Sequence, residues 1–332
     1  MSPSAFDEAA PRFRILPEPP SAGEGGLVLD RATGLVWTRS ANPLGYPLPW
    51  AEALEAVAAW NRAGLLGHAD WRMPNRRELR SLIDHARRQP ALPPGHPFRD
   101  VFPGWVWTST SKAGQEAYAW NVHLEGGRMF YSRKDEFRLL WPVRGPMPGQ
   151  AANLARTGQR GCFDALGRAV DCAGTGQDGE LRLGAPWPEP RFRREGPGIR
   201  DLLTGLLWLA PEQLTPERLI GEPLTWDRAL ELASAHGPGW RLPSIDELEG
   251  LVDAGRADPA WPEELARLLA GSPGEAPPLR AEGLWSATTS GFDPAWAFVL
   301  YARKGAVGVG FKQGAEFLAW PVRGPEVRSV PV

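Results

Sequence analysis

The chain has 332 residues, enough for two domains that each bury a core, and 42% hydrophobic with 23% charged residues excludes wholesale disorder. A net charge of −2 gives no global field, which argues against nucleic-acid binding through bulk charge. No apolar run reaches the roughly 18 residues of a membrane span, whereas 38 Gly, 35 Pro and 16 Trp point to turns, loops and rigid aromatic packing.

The start, Met1-Ser-Pro-Ser-Ala-Phe-Asp-Glu8, lacks the basic residues and apolar stretch of a secretory signal, so the compartment stays open. Pro11-Arg-Phe-Arg14 begins the first ordered block, and Asp30-Arg-Ala-Thr-Gly-Leu-Val-Trp37 reads as a hairpin, with Asp and Gly supplying the turn. Trp50, Ala53, Leu54, Val57 and Ala58 fall at helical spacing. After the corner Trp71-Arg-Met-Pro74, Asn75 and Glu78 stand in the capping-box relation, with Leu79, Leu82 and Ile83 as the buried face of a second helix. A variable Pro-rich loop follows, then short strands near 105–109, 118–124, 128–132 and 139–144. Trp141-Pro-Val-Arg-Gly145 closes the block.

All of this recurs. Pro190-Arg-Phe-Arg193, Asp201-Leu-Leu-Thr-Gly-Leu-Leu-Trp208, Trp240-Arg-Leu-Pro-Ser-Ile-Asp-Glu-Leu248, Trp285-Ser-Ala-Thr288 and Trp320-Pro-Val-Arg-Gly324 keep the same order. Thr225 is the expected N-cap of the helix from Trp226, Ser244 pairs with Glu247, and strands are expected near 284–287, 296–301, 306–311 and 318–323. Matching Tyr118-Ala-Trp120 to Ala295-Trp296 places twelve of the 16 Trp in six pairs. The expected layout is therefore copy one at 11–145, a Gly/Pro-rich linker at 146–189, and copy two at 190–324. Each copy is an α+β domain of hairpin, two helices and terminal meander. Within the linker, Cys162 and Cys172 flank a turn at Leu166-Gly167 and would bridge a small hairpin in an oxidising compartment.

The blocks Asp-x-x-Thr-Gly-Leu-x-Trp, Trp-Arg-(Met/Leu)-Pro-(Asn/Ser)-x-x-Glu-Leu, Trp-(Ser/Thr)-(Ser/Ala)-Thr and Trp-Pro-Val-Arg-Gly resemble the Lcl C-terminal domain family. That family takes its name from the domain closing the Legionella collagen-like adhesin, and the linker stretch 157–180 resembles the preface that often precedes it. The resemblance implies two tandem C-type-lectin-like domains, shared in fold with formylglycine-generating enzymes and retroelement-diversified receptors. It also implies adhesion at a cell surface or outside the cell.

Chemistry-bearing residues are sparse. Neither copy holds a cysteine, His68, His85, His96, His123 and His236 occupy no repeated position, and no P-loop, nucleophile elbow or zinc motif is present. No catalysis, metal or cofactor is expected. Arg72, Arg144, Arg241 and Arg323 read as structural guanidiniums and Glu78 and Glu247 as helix caps, while the paired Trp belong to the core. The unmatched Trp60, Trp105, Trp187 and Trp261 are the candidates for exposure. Ligand contacts are expected where the copies diverge, at Lys112, His123, Arg128, Tyr131, Arg133, Lys134 and Arg138, and at Tyr301, Arg303, Lys304 and Lys312. If Arg128, Arg133, Lys134 and Arg138 converge on one face, an anionic polysaccharide is the expected partner. A protein-binding subunit of a surface or phage-like assembly is the alternative, and oligomerisation is left open.

Overall fold

The computed structural model describes residues 11–17, 26–146, 154–213, 222–270 and 282–324, and the expected α+β arrangement occurs in it twice. Copy one runs β1 (Phe13–Leu16), β2 (Leu27–Asp30), β3 (Leu35–Thr38), α1 (Trp50–Ala63), α2 (Arg76–Arg80), β4 (Trp105–Ser111), β5 (Tyr118–His123), β6 (Met129–Arg133) and β7 (Val143–Arg144). The linker adds β8 (Cys162–Phe163), β9 (Ala169–Val170) and α3 (Asp178–Leu181). Copy two runs β10 (Phe192–Glu195), β11 (Gly198–Asp201), β12 (Leu207–Leu209), α4 (Trp226–Ala235), β13 (Trp240–Arg241), α5 (Ile245–Gly250) and α6 (Glu263–Leu269). It ends in β14 (Leu284–Thr289), β15 (Trp296–Tyr301), β16 (Ala306–Phe311) and β17 (Val322–Arg323).

Local chemistry sets these elements. Asp30 accepts from the Ala32 amide and the Thr33 hydroxyl, both at 3.0 Å, while Gly34 adopts φ 73°, so the β2–β3 turn closes as its residues dictate. Arg12 forks onto Asp30 at 2.7–2.9 Å, and Arg191 repeats the fork on Asp201 at 2.8–3.0 Å. Both capping boxes are present, Asn75 with Glu78 and Ser244 with Glu247, each worth about 1 kcal/mol to a short helix. The same glutamates take Arg72 at 2.6 Å and Arg241 at 2.7 Å, which makes these arginines supports of the corner. Arg144 pairs with Asp70, whereas Arg323 lies exposed over the Trp240 ring.

Trp71, Trp141, Trp240 and Trp320 are buried, as expected of matched core positions. Trp141 packs on Trp37 and Phe98, and Trp320 on Trp208 and Trp261. Trp261 is therefore core, against expectation, because it fills in copy two the space that Phe98 fills in copy one. Trp60, Trp105 and Trp187 are half-buried. The helix α6 falls where only a loop was expected.

Strand register corrects one match. Trp107 pairs with Asn121 and Trp285 with Val299, while the Thr108 hydroxyl donates to Trp120 O as Ser286 does to Phe298 O. Trp120 thus corresponds to Phe298, and Trp296 to Tyr118. The letter match was displaced by two residues, and five Trp pairs remain.

The two meanders join into one six-stranded sheet, in the order β14-β15-β16-β6-β5-β4. The joint is Met129 opposite Val307, which occupy equivalent positions in the two copies. Beside it, α2 faces α5. Arg80 Nε donates to Glu249 Oε2 at 2.8 Å, and these two positions are again equivalent. Equivalent residues meeting each other is the signature of a two-fold interface, here between two halves of one chain. The halves have opposite charge: Arg76 reaches Gly305 O at 2.6 Å, Arg77 reaches Gly250 O and Val252 O at 3.1 Å, and His85 meets Asp246 at 3.0 Å. Burial pulls the Arg76 and Arg77 guanidiniums down to about 10.

Residues 154–187 form a wedge against copy one. Cys162 and Cys172 are disulfide-bonded with Cα atoms 5.2 Å apart, within the usual range. Asp178 is buried, accepting from Thr110 Oγ1 and Thr157 Oγ1, both at 2.7 Å. The Ala254 amide donates to Thr157 O at 2.8 Å, which ties the wedge to copy two as well. Among the described residues no helix is long and apolar enough to cross a membrane.

Candidate functional site

The basic strip of copy one does not form the expected face. Lys134 is only 1% exposed; its Nζ lies 4.0 Å over Trp50 and donates to Phe163 O and Asp164 O at 3.0 and 3.2 Å. Lys312 repeats this in copy two, 4.0 Å over Trp226 and donating to Thr289 Oγ1 at 2.8 Å. The Trp50 and Trp226 amides in turn donate to the Lys134 and Lys312 carbonyls at 2.9 Å. Both lysines therefore secure the first turn of a helix, and the buried Lys134 gains about 2 kcal/mol as a desolvated cation on an indole face. Burial brings the Lys134 ammonium down to about 7.

Arg133 is forked on Asp135 at 2.9–3.0 Å, and Arg138 donates to Ser132 Oγ at 2.9 Å and Glu136 Oε2 at 2.5 Å. Arg128 is exposed at the opposite end of β6, near His123, whose ring packs 4.6 Å from Trp105. The four basic groups do not converge: Arg133 and Arg138 are paired with carboxylates two residues away, Lys134 is buried, and Arg128 stands apart at the far end of the strand.

Another grouping does form. Lys112, Tyr131, Tyr301, Arg303 and Lys304 line one cleft of about 320 Å³ at the seam between the copies, together with Asp258 and Glu282. Copy one contributes the end of β4 and the face of β6; copy two contributes the β15–β16 turn and the 257–258 corner. Lys112 is buried, donating to Ala113 O at 2.5 Å with its Nζ 5.5 Å from the Tyr131 ring, and burial draws it down to about 8. Arg303 is held by Asp258 at 2.5–2.7 Å. Lys304 is exposed, 6.0 Å from the Tyr301 ring, and no carboxylate pairs with it among the described residues. Phe130 stands 6.1 Å from Tyr301, outside the cleft. Three cations against two carboxylates leave the cleft slightly positive.

The sequence shows why the cleft is open on one side of the two-fold only. Lys112 and Ser290 are equivalent, donating to Tyr118 O and Trp296 O at 2.9 Å, so Gly114 corresponds to Phe292. Phe292 packs onto Gly126, and the Gly291 amide donates to His85 O at 2.8 Å, filling that side. On the other side Gly114 has no side chain, and the space in front of Lys304 stays free. Asp258, Glu282 and Gly114 were not singled out from the sequence; only the aligned pair Gly114–Phe292 carried a signal.

The cleft offers aromatic faces, ammonium and guanidinium donors, and carboxylate acceptors. No three His, Cys, Asp or Glu side chains gather to hold a metal ion among the described residues. The family model of the Lcl C-terminal domain matches residues 26–144 and 198–323, more than half of the chain. No curated protein matches it.

Proposed function

From the premise that the chain belongs to the Lcl C-terminal domain family, twice over, we propose that it is a non-enzymatic binding protein of adhesive type. Its ligand is an anionic glycan or comparable surface polymer, held in the seam cleft. The observation that carries this is the meeting of Tyr131, Tyr301, Lys112, Arg303 and Lys304 in one open cleft to which both copies contribute. Tyrosine rings offer flat faces to the C–H surface of a sugar ring, as amphipathic aromatic groups do at interfaces. Lys304 and Lys112 suit a sulfate or carboxylate, Arg303 adds a planar donor, and Asp258 with Glu282 accept from hydroxyls. The size is at the lower end of small-molecule sites, room for a short stretch of a polymer. The hairpin, paired helices and meander also accord with a C-type-lectin-like fold, and the disulfide with a cell-surface or extracellular setting.

The experiment is retention on immobilised heparin as a sulfated polysaccharide. The parent chain should bind at low salt and elute steeply as salt rises. Tyr301→Ala combined with Lys304→Glu should abolish retention, while Arg133→Glu should leave it nearly unchanged, because that arginine lies outside the cleft and is already paired. Equal retention of parent and double variant would overturn the assignment. A loss confined to Arg133→Glu would move the site to the β6 strip.

A further inference from the structure

Among the described residues, the wedge that covers copy one has no counterpart on copy two, and comparison of the two faces indicates what belongs there. In copy one, Ser109, Thr110, Ser111, Trp50 and Lys134 are all buried. Their equivalents Ala287, Thr288, Thr289, Trp226 and Lys312 are exposed or half-exposed, although the internal bonding is the same. Thr110 Oγ1 accepts from the Arg76 amide and donates to the wedge carboxylate Asp178; Thr288 Oγ1 accepts from the Ile245 amide at 3.0 Å, with no acceptor facing its proton among the described residues. Lys134 gives its protons to the wedge carbonyls of Phe163 and Asp164, whereas Lys312 spends one on Thr289 Oγ1.

The rim differs in the direction of an interface. Tyr118 and Arg133 become Trp296 and Phe311, an aromatic pair 5.5 Å apart, 36% and 38% exposed. Exposed large aromatics of this kind are characteristic of contact surfaces.

We infer that this face of copy two is a docking site for a partner polypeptide that presents a disulfide-closed hairpin with a carboxylate beyond it, the chemistry of residues 157–182 of this chain. The carboxylate seats on the Thr288 hydroxyl, two hairpin carbonyls accept from the Lys312 ammonium, and apolar atoms cover Trp296 and Phe311. The inference is independent of the seam cleft, which lies on the other side of the meander's end and uses none of these residues. It rests on charge complementarity and on the same surface being covered in the same molecule.

The probe is a synthetic peptide of residues 154–187, oxidised to close Cys162–Cys172, titrated into the full-length chain. The copy-one face is already occupied from within the chain, so one peptide should bind per chain. Trp296→Ala with Phe311→Ser should weaken binding about tenfold or more. Thr288→Val should weaken it by a smaller factor, and an Asp178→Asn peptide should match the Thr288→Val loss. Trp296 and Phe311 lie at the surface, whereas Thr288 is half-buried and also accepts from the Ile245 amide, so an unchanged circular dichroism spectrum and melting temperature would show that both variants fold. Absence of binding to the parent, or binding indifferent to all three changes, would overturn the inference.

Discussion

Glu249→Ala should lower the stability of the whole chain by about 3–5 kcal/mol, the largest single-residue effect expected outside the aromatic core. Glu249 is buried between Arg80, which donates to it at 2.8 Å, and Arg76, 3.8 Å away. Neither guanidinium has another carboxylate within ion-pair distance among the described residues. Removing the glutamate leaves two buried positive charges side by side, with the carbonyls of Gly127 and Gly305 and the Trp120 ring as their remaining contacts. An uncompensated buried charge costs several kcal/mol, whereas exchanging a whole ion pair for apolar groups costs little. Arg80→Met with Glu249→Leu should therefore recover much of the loss. Urea titration of the three proteins measures this. A cost below about 1 kcal/mol for Glu249→Ala would mean that water reaches the α2–α5 contact and the halves are not sealed together.

The second large effect is on pH dependence. Burial pushes the Asp178 carboxyl up to about 6, despite the hydroxyls of Thr157 and Thr110 that stabilise its charged form. An unfolded chain releases this proton near pH 4, the ordinary carboxylate range. Between about pH 4 and 6 the native state therefore holds a proton that the unfolded state has lost, and stability falls as pH rises through that window. The stabilisation is fully present below pH 4 and lost above 6; a difference of about two pH units corresponds to about 3 kcal/mol. Asp178→Asn keeps an acceptor for the two threonines and removes the titration. Chemical denaturation of both proteins across pH 4–7 should show the parent falling relative to the variant. Parallel curves would show that Asp178 is ionised in the native protein throughout.

Features set by near neighbours in sequence were legible before the fold was known. The turn at Asp30 and Gly34, the caps at Asn75, Thr225 and Ser244, and the hairpin of Cys162 and Cys172 each depend on a few adjacent residues. Matching letters failed where packing is conserved and identity is not. Trp120 and Phe298 fill the same space, so aligning Trp with Trp slipped the register by two. Trp261 had no partner in the repeat because Phe98 does its work in copy one. Charge counting misread β6 for a different reason: Lys134 is buried by Trp50 and the wedge, which are remote in sequence, and Arg133 and Arg138 are neutralised next door. The seam itself is a tertiary contact between equivalent residues. Its only trace in the sequence was the opposite charge of Arg76, Arg77 and Arg80 against Asp246 and Glu249.

That seam is the centre of the account, since the cleft exists only if the copies form one body. Differential scanning calorimetry of the intact chain tests it most directly. Joined through the Met129–Val307 pairing and the Arg80–Glu249 contact, both copies should melt in a single transition whose calorimetric and van't Hoff enthalpies agree. Two resolved transitions, each with about half the enthalpy, would show two independent domains and contradict it.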